Sequence, residues 1–306
     1  MKETHFLPLA IQDFEIYRVG KSIPEQVLLK KHNETGYTAT SIEPFFQLHS
    51  HDVFEFFILE NGECEYFCEG KTYLLKKGDV MVVPPHTIHR ALIKDFTQYE
   101  RILVNINPDL LLDFQYSSPR LKENITFQKT NGNYMYRLDY KSFQKVVSLL
   151  NDIIKKIQEG KHIYSFTIQN LLFQALNIIF DPSISKQEYS INNKLDERLV
   201  SILEFIETHL TDQQLSLDFV SESFHMNKYY FSHYFKKKMN LPFYRYVSLK
   251  RLSLALDMIK QNQLPMEQIA FKCGFLDYSS FYRLFKKEYM VSPKKLQKEF
   301  MNRTQL

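Results

Sequence analysis

The 306-residue chain has no tryptophan, only 3 cysteines and only 8 glycines. Cys64 and Cys68 are four residues apart in a predicted strand, a separation of about 13 Å that is too long for a disulfide. Cys273 lies in the other half of the chain, so no disulfide framework is expected, as in a reducing cytoplasm. No apolar run approaches the roughly 20 residues that span a bilayer, and residues 1–10 lack the pattern of a secretory signal. We therefore expect a cytoplasmic protein with no membrane partner.

Charge is unevenly distributed along a chain that is long enough for two domains. Residues 228–306 contain 16 Lys and Arg against 5 Asp and Glu, a net charge of +11. The whole chain carries +4, so the part before residue 228 carries −7. This asymmetry favours a phosphate-binding module joined to a neutral or acidic partner domain. The alternative is an ordinary helical bundle with a charged, solvated face.

The same helical pattern occurs twice between residues 215 and 293. The first copy contains Phe219, Val220, His225, Asn227, Phe231, Phe235, Lys236, Lys237 and Phe243. Fifty residues later, the second contains Ile269, Ala270, Phe275, Asp277, Phe281, Phe285, Lys286, Lys287 and Pro293. Each copy predicts a helix, a tight turn and a second helix, and Asn227 and Asp277 are the expected N-caps of the second helices.

The second helices, predicted over Asn227–Met239 and Asp277–Tyr289, each have an aromatic stripe and a polar face. The polar faces comprise Tyr229, Ser232, His233, Lys236 and Lys237 in the first helix and Ser279, Tyr282, Arg283, Lys286 and Lys287 in the second. Such side chains donate, accept, stack and neutralise phosphate, as a helix in a DNA major groove must. Arg283 is the best candidate for a base contact, because a guanidinium pairs with guanine at two points, and the lysines are candidates for phosphate contacts.

The runs Ile269–Phe275, Ser280–Lys287 and Ser292–Pro293 resemble the signature of AraC/XylS-type transcription regulators. The resemblance covers about the last 110 residues. It implies double-stranded DNA as a partner, RNA polymerase as a further partner, and activation of transcription. Asn240 and Met290 stand where the family usually has glycine. Because a left-handed backbone is costly for Met, the second recognition helix is expected to end differently.

Short β-rich runs separated by turns predict an antiparallel barrel or jelly roll in the first half of the chain. The candidate strands are Phe54–Leu59, Glu63–Cys68, Lys71–Leu75, Val80–Val83 and Ile102–Ile106. Across these strands, His49, His51 and Glu55 with Gly62, and then Gly78, Asp79, Pro84 and His89, resemble the two cupin motifs. Many AraC-type regulators carry such a barrel in front of their DNA-binding half.

Carried over from the cupin motifs, His49, His51, Glu55 and His89 would bind a divalent metal. Alternatively, the same four residues line the pocket of a small-molecule effector, commonly a sugar in regulators of this type, and no cofactor is required. Nearby aromatic residues either stack on the effector or form the barrel core. They are Phe45, Phe46, Phe54, Phe56, Phe57, Tyr66, Phe67 and Tyr73. Strand alternation sends Glu55 and Phe57 to one face and Phe54 and Phe56 to the other.

Two helices are predicted between the barrel and the repeat, over Tyr140–Glu159 and Ile163–Phe180. The second is apolar around most of its circumference, so it either packs within one chain or also contacts a second chain in a homodimer. The predicted α+β chain therefore has a cupin-like effector barrel at 1–135, a helical arm at 136–181 and a linker at 182–194. An all-α DNA-binding domain with two helix-turn-helix units follows at 195–306.

Two other function classes remain as alternatives. One is a metal-dependent cupin enzyme fused to a DNA-binding tail, and the other is a module that bridges DNA without an effector. The sequence shows no separate general base, nucleophile elbow or phosphate loop, so a regulator that is not an enzyme is favoured.

Overall fold

The computed structural model describes residues 5–6, 14–19, 48–93, 98–123, 134–160, 165–181, 183, 185–187, 196–261 and 264–304. The chain forms two compact units: Met1–Thr4 with Leu9–Asn193, and His5–Pro8 with Lys194–Leu306. Phe45, Phe46, Ile163 and most of the predicted linker 182–194 lie outside the described residues.

Antiparallel strands form two sheets in the first unit. Among the described residues, the strands are β1 (His5–Phe6, in the second unit), β2 (Phe14–Val19), β3 (His49–Ser50), β4 (Phe54–Asn61), β5 (Glu63–Cys68), β6 (Lys71–Lys76), β7 (Asp79–Val83), β8 (His89–Leu92), β9 (Glu100–Ile106), β10 (Met135–Leu138) and β11 (Ser185–Gln187). One sheet has the order β3-β8-β5-β6 within this unit, and the other has the order β11-β10-β7-β4-β9-β2. The five predicted strands correspond to β4, β5, β6, β7 and β9, and the predicted α+β class is confirmed.

Strand β4 separates two hydrophobic clusters, as its sequence alternation predicts. Phe57 lies in an inner cluster, between the two sheets, that includes Tyr66 of β5 and Leu103 of β9. Phe54 and Phe56 lie in an outer cluster that also contains the apolar faces of two helices. The inner face of β4 therefore belongs to the barrel interior, and its outer face to the interface with the helices.

Helices in the described part of the first unit include α1 (Pro108–Ser117), α2 (Tyr140–Gln158) and α3 (Phe166–Ile179). The side chain of Asp139 caps α2 by accepting from the backbone N–H of Ser142 at 2.9 Å. The α2 and α3 helices pack on each other and on the outer face of the large sheet. This arrangement covers much of the apolar surface of α3 within the chain.

Part of the predicted linker forms a sheet edge. Within 182–194, strand β11 pairs with β10 in the register Tyr136↔Gln187. The barrel sheet therefore extends as far as residue 187, and the proposed domain boundaries stay a prediction.

The second unit contains seven helices in its described part. They are α4 (Glu197–Thr208), α5 (Leu217–Ser223), α6 (Lys228–Met239), α7 (Phe243–Gln261), α8 (Met266–Lys272), α9 (Tyr278–Tyr289) and α10 (Pro293–Thr304). Helices α5 and α6 form one helix-turn-helix unit, α8 and α9 form the other, and α7 joins them. Arg245 of α7 and the buried Glu288 of α9 form an ion pair that links the connecting helix to the second helix-turn-helix unit.

The constant spacing of fifty residues is wrong for the first helix of each unit. Helix α5 begins at Leu217 and α8 at Met266, a spacing of 49, whereas α6 and α9 begin fifty residues apart. The turn between α8 and α9 is therefore one residue longer than the turn between α5 and α6. As a result, the buried residues Val220 and Ser221 are the counterparts of Ile269 and Ala270, which are also buried. His225 is the counterpart of Gly274, and both have a positive φ.

The expectation that α9 ends differently from α6 is also wrong. Asn240 and Met290 both adopt φ 57°, so both recognition helices end in a left-handed residue. The Met290 side chain is exposed, and the packing of its neighbours fixes the backbone despite the unfavourable conformation.

In the described ranges, no helix combines the length and apolarity that crossing a bilayer requires. Cys64, Cys68 and Cys273 are all free and buried. Burial raises the pKa of the Cys64 and Cys273 thiols to about 12.

Candidate functional sites

The second helix of each helix-turn-helix unit begins at a side-chain cap. Asn227 accepts from the N–H groups of Tyr229 and Tyr230 at the start of α6. Asp277 accepts from the N–H of Ser280 at 2.7 Å at the start of α9. Hydrogen bonds from Ser280 hold the pKa of Asp277 below its ordinary value, so the capping carboxylate stays ionised at neutral pH.

Aromatic side chains fix the inner face of each recognition helix. Phe231 and Phe235 of α6 are fully buried, as are Phe281 and Phe285 of α9. Tyr234, beside this stripe on α6, is only partly buried, and its hydroxyl donates to Asp196 at 2.7 Å. Because the aromatic stripe packs inward, the opposite face of each helix is left to solvent.

The predicted polar residues lie on these outer faces. Exposed side chains are Tyr229, Ser232, His233, Lys236 and Lys237 on α6 and Ser279, Arg283, Lys286 and Lys287 on α9. Tyr282 is half-buried. Each helix therefore presents a face that donates, accepts and carries positive charge, the chemistry that reading a DNA groove requires.

A partly buried guanidinium links α7 to the backbone that follows α4. Arg251 of α7 donates from Nε to the carbonyl of Leu210 at 2.8 Å and from a terminal nitrogen to the carbonyl of Asp212 at 2.7 Å. Gly274, at φ +86° in the turn between α8 and α9, lies against this bridge. A Cβ on Gly274 would approach Leu210 O and Arg251 Nε to 2.9 Å, so the contact requires glycine.

The four residues of the cupin-like motifs converge in the first unit. His49, His51, Glu55 and His89 are all buried, and one ligand atom from each lies within 4.8 Å of the other three. Strand pairing aligns His49 with His89, and β4 supplies Glu55 from the opposite sheet. The sequence prediction that these four residues form one site is consistent with this geometry.

Backbone carbonyls orient two of the imidazole rings. Nδ1 of His51 donates to the Val53 carbonyl at 3.0 Å, and Nδ1 of His89 donates to the Thr87 carbonyl at 2.8 Å. The Nε2 atoms therefore face Glu55 Oε2, at 3.1 Å from His51 and 3.7 Å from His89. A proton on Nε2 or a cation between the groups makes these contacts favourable.

Glu55 is ionised despite its burial. Burial alone would raise its pKa, but the positive potential of His89 and the hydrogen bond from His51 hold the pKa well below its ordinary value. The Tyr66 hydroxyl donates to Glu55 Oε1 at 2.8 Å, and burial together with this carboxylate raises the pKa of Tyr66. Tyr66 therefore stays protonated and fixes the orientation of the carboxylate.

Two protein-family models match the chain. The AraC-like ligand binding domain matches residues 31–176, and a helix-turn-helix domain matches residues 220–299. The chain belongs to the AraC family of transcription regulators. It is a DNA-binding transcription regulator with an effector-binding domain.

Curated AraC-family relatives align over most of their length. The transcriptional activator RhaS of Escherichia coli O6:H1 (strain CFT073) is 27% identical over 268 residues, which covers 85% of this chain and 92% of the relative. Among solved structures, the C-terminal domain of the response regulator yesN from Fusobacterium nucleatum is 32% identical, with a TM-score of 0.33. That comparison covers 33% of this chain and 99% of the other. ToxT from Vibrio cholerae is 12% identical with a TM-score of 0.36, and covers 94% and 98% of the two chains.

Two polar residues of the barrel interior were not predicted as site residues. Tyr66 was noted only as an aromatic residue, although its hydroxyl contacts Glu55. Asn105 of β9 is 1% exposed and pairs directly with Glu55. In the sequence, Asn105 stands out as the polar residue of the apolar run Ile102–Ile106, which is the signal that identifies it.

Proposed function

We propose that this AraC-family regulator binds a small-molecule effector at His49, His51, Glu55 and His89, and that the effector controls activation of transcription. The observation that carries the proposal is the convergence of these four buried polar side chains beside the apolar inner cluster of the barrel. Buried polar groups are costly unless they are paired, so such a cluster favours a binding site over a structural core.

For the DNA interface we propose two roles. Arg283, with Ser279 and Tyr282, contacts bases from α9, and Ser232 and His233 do so from α6 together with Tyr229. Lys236, Lys237, Lys286 and Lys287 contact phosphates. Support comes from the exposure of the polar face of each helix and from the net charge of +11 in residues 228–306.

Activation and the remaining partners are inferred from the relatives. RhaS is named as a transcriptional activator, and we propose the same direction here, with RNA polymerase as a partner, in the bacterial cytoplasm where the DNA lies. A carbohydrate effector and a homodimer formed through α2 and α3 are further parts of the proposal. The relatives are regulators, so we propose that the chain is not an enzyme.

Recovery of bound DNA from cells, followed by a reporter assay on a recovered promoter, tests the proposal. A panel of carbohydrates is screened for a change in reporter output, first with the wild-type chain. Glu55→Gln should abolish the response while leaving DNA binding intact. Glu63→Gln, an equally conservative change of an exposed carboxylate on β5, is the matched control and should retain the response. A full response in Glu55→Gln would place the effector elsewhere.

The same four residues fit a divalent metal as a second candidate ligand. Both oriented histidines present Nε2 toward Glu55, and Nε2 of His89 is buried with no hydrogen-bond partner in the described part of the chain. Three imidazoles and one carboxylate, with Tyr66 and two carbonyls holding them, match the donor sets and supporting hydrogen bonds of protein metal sites. A bound ion would supply a Lewis-acidic point to which an effector oxygen binds.

Metal analysis of protein purified without chelator or affinity tag tests this second candidate. We expect close to one equivalent per chain in the wild type and a clear loss in Glu55→Gln. Less than about a tenth of an equivalent in the wild type would remove the idea.

A further inference from the structure

Asn105 lies beside the four-residue cluster. It pairs with Glu55 of β4 on one side and with Glu15 of β2 on the other. Directly paired residues in antiparallel strands point to the same face of the sheet, with Cβ atoms about 4.5–5.5 Å apart. Leu103 belongs to the inner cluster and Val104 to the outer one, so alternation places Asn105 on the inner face with Glu55.

The amide of Asn105 is buried and unpartnered. It is 1% exposed, and neither Oδ1 nor Nδ2 has a hydrogen-bond partner among the residues that the structure describes. Nε2 of His89 shares this property. Buried polar atoms in folded proteins are nearly always hydrogen-bonded, and an exception needs an explanation such as a bound ligand. Asn105 on β9 and His89 on β8 face the barrel interior from opposite sheets, so one ligand between the sheets can contact both.

The hydrogen-bonding capacity of these groups restricts the ligand. A metal ion satisfies Nε2 of His89, and a water molecule bound to the ion donates to Asn105 Oδ1, but neither accepts from Asn105 Nδ2. A carboxylate accepts from Nδ2 but cannot donate to Oδ1 or to Nε2, and the Glu55 carboxylate repels it. A hydroxyl group both donates and accepts, so two adjacent hydroxyls match an amide at both of its atoms.

We propose that Asn105 is a specificity-determining residue of the effector site, and that its amide pairs with two adjacent hydroxyl groups of a neutral carbohydrate effector. This proposal rests on the effector site proposed at Glu55 and His89. Asn105 selects the ligand through both amide atoms, and a further hydroxyl of the ligand contacts Nε2 of His89. An effector without neighbouring hydroxyls leaves the buried amide unpaired and binds more weakly.

The first measurement needs no ligand. Thermal unfolding of the full-length chain is compared for the wild type, Asn105→Leu and Asn151→Leu. Because leucine removes an unpaired polar group, Asn105→Leu should raise the melting temperature or leave it unchanged. Asn151 is the contrasting control, because its Oδ1 accepts from Arg18 at 2.7 Å, and Asn151→Leu should lower the melting temperature. A fall in Asn105→Leu as large as in Asn151→Leu would show a structural role and overturn the proposal.

The second measurement titrates three kinds of probe into the wild type, Asn105→Leu and His89→Ala. The probes are neutral aldopentoses, aldohexoses and their alditols; the corresponding sugar acids; and Zn²⁺ alone. At least one neutral polyhydroxylated probe should stabilise the wild type, and its affinity should fall by about tenfold or more in both variants. Zn²⁺ should act on Asn105→Leu as it does on the wild type.

The outcomes separate this inference from the effector site on which it rests. Loss of affinity in His89→Ala but not in Asn105→Leu would overturn the role of Asn105 and leave the effector site in place. Retained affinity in both variants would overturn both. A wild-type chain that responds to no neutral polyhydroxylated probe, or that prefers the sugar acids, would overturn the ligand class.

Discussion

Replacing Gly274 with alanine should destabilise the second helix-turn-helix unit by disrupting its contact with Arg251 and Leu210. Gly274 has φ +86°, and an added Cβ would lie 2.9 Å from both Leu210 O and Arg251 Nε. The nearest carbonyl is backbone at the end of α4 and cannot turn away. The Arg251 side chain must therefore move, and its hydrogen bond to Leu210 is lost or weakened.

The expected loss of stability combines two effects. Alanine in a left-handed conformation costs about 1 kcal/mol, once the smaller entropy of its unfolded chain is included. Losing one hydrogen bond from a charged group costs a further 1.5–3 kcal/mol, roughly. Together these changes predict a decrease of about 2.5–4 kcal/mol in the free energy of opening the second helix-turn-helix unit.

Gly160 is a matched control. It has φ +82°, and an added Cβ would meet nothing within 4 Å in the described part of the chain. Gly160→Ala therefore tests the backbone effect without the steric one, and should cost about 1 kcal/mol.

Native-state hydrogen exchange followed by mass spectrometry measures both variants in the full-length chain. Amides of α8 and α9 should exchange on the order of a few hundredfold faster in Gly274→Ala, whereas the α2 amides before Gly160 should change on the order of tenfold in Gly160→Ala. If Gly274→Ala costs no more than Gly160→Ala, the steric contact with the Arg251 bridge is not what requires glycine.

Three further predictions concern the DNA-binding half. Met290→Gly should stabilise the chain by about 1 kcal/mol, because glycine relieves the left-handed strain at φ 57°; urea unfolding measures this, and an unchanged midpoint would contradict it. Arg283→Ala should relax sequence preference by about 1–3 kcal/mol, whereas Lys286→Ala should weaken all DNA alike and reduce the salt slope by about 1; binding titrations on a recovered site and a scrambled one separate these outcomes, and equal losses on both for Arg283→Ala would refute its base contact. Burial would raise the pKa of Asp196, but hydrogen bonds from Lys238 and Tyr234 lower it. The contribution of Asp196 to folding stability is therefore present above the unfolded pKa of about 3.9 and is lost as pH falls through the lower folded value. Asp196→Asn should reduce the loss of stability at acid pH, and an unchanged pH dependence would argue against this network.

Periodicity predicted the helices and strands because burial on one face determines which residues are apolar. The stripe of Phe231 and Phe235 and the alternation around Glu55 could be read directly. The longer turn of the second helix-turn-helix unit could not be read in this way. Apolar residues precede and follow the turn in both copies, so a constant spacing of fifty residues still aligns them and hides the extra residue. Met290 was interpreted wrongly for a related reason: an intrinsic backbone preference of about 1–2 kcal/mol is overridden by the packing of the elements around it.

The candidate sites could be predicted where a motif or a helix face unites their residues. His49, His51, Glu55 and His89 came from motif spacing, which places them on neighbouring strands. Asn105 could not be added in this way, because its place beside Glu55 depends on the pairing of β4 with β9, and pairing register is a property of the folded sheet. The same limit applies to the Arg251 bridge, which joins residues about forty positions apart.

Glu55 and Phe56 are consecutive residues on opposite sides of a sheet that is a single backbone thick. The Glu55 carboxylate contacts His51 and Tyr66 in the interior, whereas the Phe56 ring meets the edge of Phe180 at 5.9 Å, at the carboxyl end of α3. A small rotation of β4 on effector binding would therefore displace Phe180, because the Phe56 ring packs against it. This coupling needs no intermediate residues, because Glu55 and Phe56 are adjacent on one strand.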